Sequence, residues 1–281
     1  MKKLLLSFII FASTVITTNQ AQAILGGAAP NNYIQLPLVG ILIDRAGSNK
    51  QDICTGTLIN ASTVLTAAHC FKNASTITNR TLVRNADLNA TNPITQQISE
   101  SQIYIHPNYS DIYYDLAVVK LTKPLPGLEA VFYPVLASST NFEYFYFLGY
   151  GLDENNHLGT LKRVAKSKNK ILRANPDEQH LIIFDQTDLK GISDGDSGGP
   201  VITSDGTTAY QIAVNMVITS QSNGIAGSSK AKVTKLTPAI IDWIKSLTPG
   251  LVTQPTVQPA AQPSDPGAGY DPRAASKGNR P

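Results

Sequence analysis

Short apolar runs, interrupted by glycine, proline, asparagine and aspartate, dominate residues 24–236. Clear examples cover residues 38–43, 116–121 and 142–148. Runs of this length at close spacing are typical of the strands of an all-β sandwich or barrel. The sequence shows neither heptads nor a repeat of fixed period. A proline-containing stretch at residues 123–127 is the best internal break, and it would divide this region into two similar halves.

One helix is predicted after the last of these runs. Thr237 can cap its N-terminus, and Pro238 can occupy its first position. Apolar residues then recur at helical spacing until Pro249 and Gly250 end the helix. These residues are Ile240, Ile241, Ile244 and Leu247, with Trp243 beside them.

Residues 1–23 have the pattern of a secretory signal peptide. Lys2 and Lys3 precede an apolar run over residues 4–16. The Ala-Gln-Ala triplet that follows suits cleavage after Ala23. A membrane anchor is the alternative, but the run is shorter than the ~20 apolar residues that cross a bilayer. The short basic start and the triplet resemble bacterial signals, so periplasm and external medium are both open as locations.

The overall composition suits an exported, folded protein with a tail. Of the 281 residues, 42% are hydrophobic and 15% are charged, which is enough apolar material for a core. Loss of Lys2 and Lys3 with the signal would lower the formal net charge from +3 to +1, which argues against nucleic-acid binding. Residues 24–247 are predicted to fold, and the proline-rich stretch 248–281 is predicted to be a disordered tail.

The strongest chemical signal is the sequence Gly-Asp-Ser-Gly-Gly-Pro at residues 195–200. Three glycines around one serine indicate a sharp turn that brings backbone close to another group. A nucleophilic Ser197 needs such a turn, because its oxygen must be exposed and nearby N–H groups must face the developing oxyanion. The N–H groups of Gly195 and Ser197 are the natural donors. An ordinary surface turn is the alternative if the motif is taken alone.

A serine nucleophile also needs a base and a group that orients the base. Among four histidines, His69 is the best candidate, because small apolar residues and a cysteine surround it. His106, His157 and His180 lie in polar surroundings and are interpreted as solvated. Asp115, directly before an apolar run, is the candidate acid. The chain order His, Asp, Ser matches the chymotrypsin arrangement.

Cys54 and Cys70 are the two cysteines of the chain. An even number in an exported protein favours a disulfide between them. The alternative is a pair of free, buried thiols.

Taken together, these segments resemble the trypsin/chymotrypsin-like serine peptidases over residues 24–247. Six boxes occur in the family's order, and such a combination is far more specific than any single motif. They are Cys-Thr-Gly-Thr-Leu-Ile at 54–59, where the family has Cys-Gly-Gly-Ser-Leu-Ile, Thr-Ala-Ala-His-Cys at 66–70, Tyr-Asp-Leu-Ala at 114–117, Gly-Tyr-Gly at 149–151, Gly-Asp-Ser-Gly-Gly-Pro at 195–200 and Asp-Trp-Ile at 242–244.

The resemblance implies two six-stranded antiparallel β-barrels packed together, a C-terminal α-helix, and a site in the cleft between the barrels. It implies a serine endopeptidase that acts on protein or peptide substrates through an acyl-enzyme, with no metal or cofactor. The sequence predicts neither a membrane span in the mature chain nor an oligomeric state. Two alternatives are a catalytically silent relative that binds a partner and an esterase; the order of the triad opposes the α/β-hydrolase form of the latter.

Two departures from the family affect the expected site. Ser193 replaces a cysteine that the family has just before the serine box, so we expect packing alone to hold the specificity pocket. Asn215 replaces a serine that helps to hold the catalytic aspartate, and its amide can still donate a hydrogen bond there.

The side chain before the cut bond is predicted to be small or medium and uncharged. In relatives that cut after lysine or arginine, an aspartate stands six residues before the nucleophile, and Gly191 occupies that position here. Val217 stands where the family often has glycine, which would narrow the pocket. Ala231 is placed at the opposite wall by the same alignment.

The resemblance also implies an activating ion pair. In this family the mature chain begins Ile-(Val/Ile)-Gly-Gly, and its free amine pairs with the aspartate just before the nucleophile. Here residues 24–27 read Ile-Leu-Gly-Gly and follow the predicted signal site directly. Ile24 and Asp196 are therefore the expected partners, and signal cleavage itself would produce the active enzyme. The alternative is that Ile24 only begins a strand and Asp196 only completes a turn.

Overall fold

The structure is a computed structural model. It describes residues 24–30, 33–111, 113–153, 157–174, 181–188, 190–221 and 228–253. The predicted signal peptide, His180 and the tail beyond residue 253 lie outside the described residues, as does the side chain of Val217.

The first sheet contains seven strands. They are β1 (Leu38–Arg45), β2 (Asp52–Asn60), β3 (Thr63–Thr66), β4 (Ile77–Arg84), β5 (Ile94–Gln97), β6 (Ile103–Ile105) and β7 (Ala117–Lys120). Their spatial order is β5-β4-β1-β2-β3-β7-β6, and every neighbouring pair is antiparallel. The apolar central strand β3 is buried at all four positions, whereas the edge strand β5 alternates between half-buried and exposed residues.

The second sheet contains eight strands. They are β8 (Val135–Leu136), β9 (Tyr144–Gly149), β10 (Lys162–Ser167), β11 (Ile171–Ala174), β12 (Leu181–Asp185), β13 (Pro200–Ser204), β14 (Ala209–Gln221) and β15 (Ser228–Lys235). Seven of them lie in the order β10-β9-β13-β14-β15-β12-β11, and the short β8 pairs in parallel with β14. The serine box lies directly before β13.

Two curled antiparallel sheets confirm the predicted all-β class of two barrel-like halves. The sheets have seven and eight strands instead of the six expected in each barrel. Segments of only two or three residues, β8 and β6, pair with longer strands and account for one extra strand in each sheet, so the second sheet still has one strand more than expected.

The predicted helix is present as α1 (Pro238–Leu247). The Thr237 hydroxyl accepts a hydrogen bond from the N–H of Ile240 at 3.3 Å, which satisfies one of the free donors at the helix start. The apolar face predicted from helical spacing packs into the core of the first sheet. After the last strand of the second sheet, the chain therefore returns to the first sheet, and α1 covers part of its core. No helix in the described part of the chain has the length and hydropathy needed to cross a membrane.

His106 is buried, so its interpretation as a solvated residue was wrong. Its ring stacks on Tyr114 with a centroid distance of 4.8 Å and meets the edge of Trp243 at 4.7 Å. The residues beside His106 in sequence gave no sign of these aromatic partners: Tyr114 lies further along the same loop between β6 and β7, and Trp243 lies on α1. The His157 side chain is 60% exposed and contacts the buried Asp153.

Besides the cores of the two sheets, an apolar cluster lies between the sheets and joins them. Leu38 and Val83 from the first sheet pack in it with Leu148 and Tyr150 from the second. The hydroxyl of Tyr150 also donates to the carbonyl of Asn85 at 2.9 Å. This junction fixes the second sheet against the first beside the predicted catalytic residues.

Candidate active site

A short hydrogen bond joins His69 to Asp115. Nδ1 of His69 lies 2.6 Å from Oδ2 of Asp115, and the backbone N–H of His69 donates to Oδ1 at 2.8 Å. The Asp115 side chain is fully buried, whereas 31% of the His69 side chain is exposed. The carboxylate thus binds the buried side of the imidazole. The other ring nitrogen, Nε2, remains available on the side of the cavity.

His69 lies in a single 3-10 turn, Ala68–Phe71, directly after β3. The disulfide between Cys54 and Cys70, predicted from their number and context, is confirmed. It ties this turn to β2, so the histidine is held by the central strands of the first sheet.

Two tyrosines shape the surroundings of Asp115. Tyr114 adopts the left-handed region with φ 51°, which reverses the chain and turns Asp115 into the interior just before β7. Burial, together with the negative charges of Asp115 and Asp111, raises the pKa of Tyr109 to about 12. Tyr109 therefore stays neutral near pH 7 and adds no second negative charge beside Asp115.

Ser197 occupies the predicted turn. The flanking Gly195 and Gly198 have φ of 97° and 85°, a region that side-chain-bearing residues rarely adopt. The Ser197 hydroxyl donates to the carbonyl of Met216 at 3.0 Å. Ser197 and His69 line the same cavity.

The N–H groups of Gly195 and Ser197 are both unused. Neither donates to an acceptor among the hydrogen bonds of the described residues. The carbonyl oxygens of the same two residues are engaged, by the hydroxyl and the N–H of Thr55 respectively. The turn therefore keeps two donors free beside the serine hydroxyl.

Asp196 is completely buried next to Ser197. Its carboxylate accepts hydrogen bonds from the N–H of Gly151 and the N–H of Ser193, each at 2.8 Å. A Cβ atom at Gly149 or at Gly151 would overlap this carboxyl group, so the Gly-Tyr-Gly box is needed for close approach. No ion pair of the described residues includes Asp196, and burial raises its pKa from 3.8 to about 7.

The residues predicted for the specificity pocket lie on three segments: the loop before the serine box, β14 and β15. Gly191 precedes the serine box, and Ala231 is buried on β15 opposite Phe184 of β12. Val217 belongs to β14 and pairs with Lys232 in the ladder. The structure places the backbone of all three on the side of the serine box formed by the second sheet.

Hydrogen bonds, and not packing alone, hold this region, which corrects the expectation drawn from Ser193. The buried side chain of Gln186 accepts from the N–H of Ile192 at 2.7 Å and donates to its carbonyl at 3.2 Å. The hydroxyl of Ser193 donates to the carbonyl of Leu152. These bonds tie the segment before Ser197 to two neighbouring loops in place of the missing disulfide.

Asn215 does not support Asp115, contrary to the sequence-based expectation. Its side-chain N–H donates to the carbonyl of Leu148 at 3.3 Å. Its backbone instead braces the serine turn: Asn215 N–H donates to Gly199 O at 2.7 Å, and Gly198 N–H donates to Asn215 O at 2.8 Å. Asp115 depends on His69 itself for its hydrogen bonds.

An open cavity of about 310 Å³ borders the site. His69, Ser197 and Asp194 line it, whereas Gly191 and Ala231 do not. The cavity therefore does not include the residues predicted for the specificity pocket.

The family described as Trypsin matches residues 25–244, and the chain belongs to this family. It is similar to serine protease Hayan of Drosophila melanogaster, with 29% identity over 53% of this chain and 27% of that protein. Serine protease snk of the same species is 34% identical over 37% of this chain and 26% of that protein. Trypsin-1 of Salmo salar is 32% identical over 42% of this chain and 46% of that protein.

The matched regions thus span about a quarter of the two Drosophila proteins and less than half of the salmon protein. These relatives are animal proteins, so they do not support the expectation of a bacterial source or of a periplasmic location.

Sequence reasoning missed Thr55 and Gln186. Thr55 was visible as a departure from the family's glycine, but its partners lie 95 and 140 residues away. Gln186 carries no motif, and only the folded loop reveals that its amide spans the backbone of Ile192.

Protonation of Asp196 makes the stability of the chain depend on pH while the residues before Ile24 remain attached. The folded chain keeps this proton up to about pH 7, whereas the unfolded chain releases it near pH 4. Between these values the folded state binds more protons, so the free energy of unfolding should fall as pH rises. We expect Asp196→Asn to flatten this fall, measured by denaturant unfolding from pH 4 to 8.

Asp242→Asn is the control, because Asp242 is exposed on α1 and is not among the charges that raise the pKa of Asp196. It should keep the pH dependence of the parent chain. Parallel profiles for the parent and Asp196→Asn would contradict the assignment of the buried proton to Asp196.

Proposed function

We propose that this protein is a secreted serine endopeptidase with Ser197 as nucleophile, His69 as general base and Asp115 as the residue that orients His69. The observation that carries the proposal is the 2.6 Å contact between His69 Nδ1 and a fully buried Asp115 carboxylate. A disulfide and the signal-like N-terminal sequence support export, since disulfides persist in oxidising compartments.

The pair dictates the protonation of the imidazole. An ionised carboxylate only accepts hydrogen bonds, so His69 Nδ1 carries the hydrogen and Nε2 keeps its lone pair. In this mechanism the hydroxyl of Ser197 leaves Met216 O and donates to Nε2 instead. Catalytic hydrogen bonds commonly tighten only when substrate binds, so the rotamer in the free protein is compatible with this role.

The reaction proceeds by acyl transfer. Ser197 Oγ forms a bond to the substrate carbonyl carbon while its proton moves to His69 Nε2. The N–H groups of Gly195 and Ser197 stabilise the oxyanion. The C–N bond then breaks, and the proton passes from Nε2 to the leaving amine. Water then attacks the acyl-enzyme in the same way, with His69 as the base, and the acid is released from Ser197. The cavity beside His69 has room for residues that follow the cut bond.

A fluorophosphonate probe should label Ser197 covalently, because only an activated serine reacts. Ser197→Ala should abolish labelling and lower kcat/KM on an unstructured protein substrate by a factor of about 10⁴ or more. Labelling is read by intact-protein and peptide mass spectrometry.

Ser139→Ala, a substitution of a half-buried serine away from the site, is the control and should label normally. A folded parent that resists the probe and cleaves nothing would instead favour a silent binding protein. Undiminished proteolysis by Ser197→Ala would refute the triad.

The acyl-side specificity follows from the charge at the pocket base. Gly191 offers no carboxylate there, and a Cβ atom at this position would overlap the Gln186 side chain. A buried guanidinium or ammonium without a countercharge is strongly unfavourable. Ala231 adds no negative charge, so we propose cleavage after small or medium uncharged residues.

A peptide library analysed by mass spectrometry should therefore show cleavage after uncharged residues at least about 10-fold more efficiently than after lysine or arginine. The same digestion with the Ser197→Ala protein identifies background cuts. A dominant preference for lysine or arginine would show that another acidic group serves the pocket.

Activation by the new N-terminus is supported by the strained position of Ile24. Its side chain is fully buried and its φ is 57°, which costs a β-branched residue about 1–3 kcal/mol. The angle φ exists only while a preceding residue is attached, so cleavage before Ile24 removes this constraint. The neighbouring Leu25 already accepts a hydrogen bond from Gly191, which holds the segment beside the serine box. We propose that the freed amine then pairs with the Asp196 carboxylate.

A chain that begins at Ile24 should accordingly be more active than one that retains Ala23. Loss of one partner of a buried ion pair costs about 3–5 kcal/mol, so we expect a difference in kcat/KM of about 100-fold or more. Thermal unfolding of both chains checks that each is folded. Equal activity of the two chains would remove the amine–Asp196 switch, as would an N-terminal sequence of the secreted protein that begins elsewhere.

A further inference from the structure

Thr55 occupies an unusual position between the two sheets. It lies on β2 of the first sheet and is fully buried. Its hydroxyl donates to the carbonyl of Gly195 at 3.0 Å and accepts from the N–H of Tyr150 at 3.1 Å. One side chain of the first sheet therefore bridges two loops of the second.

The backbone of Thr55 is also engaged at the same junction. Its N–H donates to the carbonyl of Ser197 at 2.7 Å, and its carbonyl accepts from the Thr66 hydroxyl at 2.7 Å. The carbonyls of Gly195 and Ser197, on either side of Asp196, are thus both bound to Thr55.

This arrangement bears on the orientation of the two free N–H donors. Gly195 has no side chain to restrict its rotation, so its flanking peptide groups turn at little intrinsic cost. A hydrogen bond at the carbonyl of Gly195 and another at the carbonyl of Ser197 hold both ends of the three-residue segment. The N–H groups that face a substrate are then fixed before it binds, as oxyanion stabilisation requires.

The family's box has glycine where Thr55 stands, so the hydroxyl bridge belongs to this chain's own sequence. We infer that Thr55 is a positioning residue whose hydroxyl holds the Gly195–Ser197 turn so that its free N–H groups bind the oxyanion. This inference rests on the proposed function of Ser197.

Thr55→Val tests the hydroxyl because valine has nearly the same shape. It leaves the carbonyl of Gly195 and the N–H of Tyr150 without their partner, so the turn gains freedom. We expect kcat to fall about 10- to 100-fold with KM within about twofold, since the loss of one oxyanion donor outright lowers kcat about 10²- to 10³-fold. Thr55→Ser keeps the hydroxyl and should restore kcat to within about threefold of the parent.

Thr57→Val is the matched control. Thr57 lies two residues further along β2 and is equally buried, but its hydroxyl has no hydrogen-bond partner within the described residues. The substitution should leave kcat unchanged. Rates are normalised to the fraction of protein that a fluorophosphonate labels, so unfolded molecules are not counted. The affinity for a peptide boronate, which forms a tetrahedral adduct, should fall in Thr55→Val together with kcat.

A fall in kcat for Thr55→Val that Thr55→Ser reverses, with Thr57→Val at the parent rate, supports the inference. It is overturned if Thr55→Val keeps the parent kcat and only loses thermal stability, if its effect lies in KM, or if Thr55→Ser is as slow as Thr55→Val. A folded parent that neither labels nor cleaves would overturn the proposed function and this inference with it, and that result is recognisable without any variant.

Discussion

The burial of the Asp196 carboxylate is the constraint around which the loops beside Ser197 are arranged. A carboxyl group removed from water needs hydrogen-bond donors or a cation, and here backbone N–H groups supply the donors. The close approach excludes any side chain at Gly149 and Gly151. Since Ser197 is the next residue, the position of its hydroxyl depends on how this carboxyl group is accommodated.

Much of the fold and the central residues of the site could be predicted from the sequence, because the patterns that indicate them lie within short segments. Apolar runs predicted strands, Thr237 and Pro238 marked the start of α1, and the boxes around His69 and Ser197 occurred in the family's order. The hydrogen-bond partners of buried side chains were harder to predict. Asn215 was expected to reach Asp115, but its amide donates to the carbonyl of Leu148 instead.

Thr55 and Thr57 show even more clearly that the sequence does not identify the partner of a buried side chain. Both are threonines on one strand, both are fully buried, and they share one face of the strand because they are two residues apart. The Thr55 hydroxyl joins two loops of the other sheet, whereas the Thr57 hydroxyl has no partner among the described residues. Only the approach of distant chain segments distinguishes them, so a single strand sequence cannot reveal which hydroxyl carries a positioning role.

The bridge at Thr55 also sets the order in which the site can form during folding. Its bonds to Tyr150 and Gly195 close loops of 95 and 140 residues, and the entropy of such closures must be overcome before the contacts stabilise anything. The first sheet can assemble His69 and Asp115 from neighbouring strands, but the turn at Ser197 is anchored only after the second sheet docks on β2. The geometry at Ser197 therefore depends on contacts that are far more distant along the chain than the one between His69 and Asp115, and it is the part of the site that chain entropy opposes most.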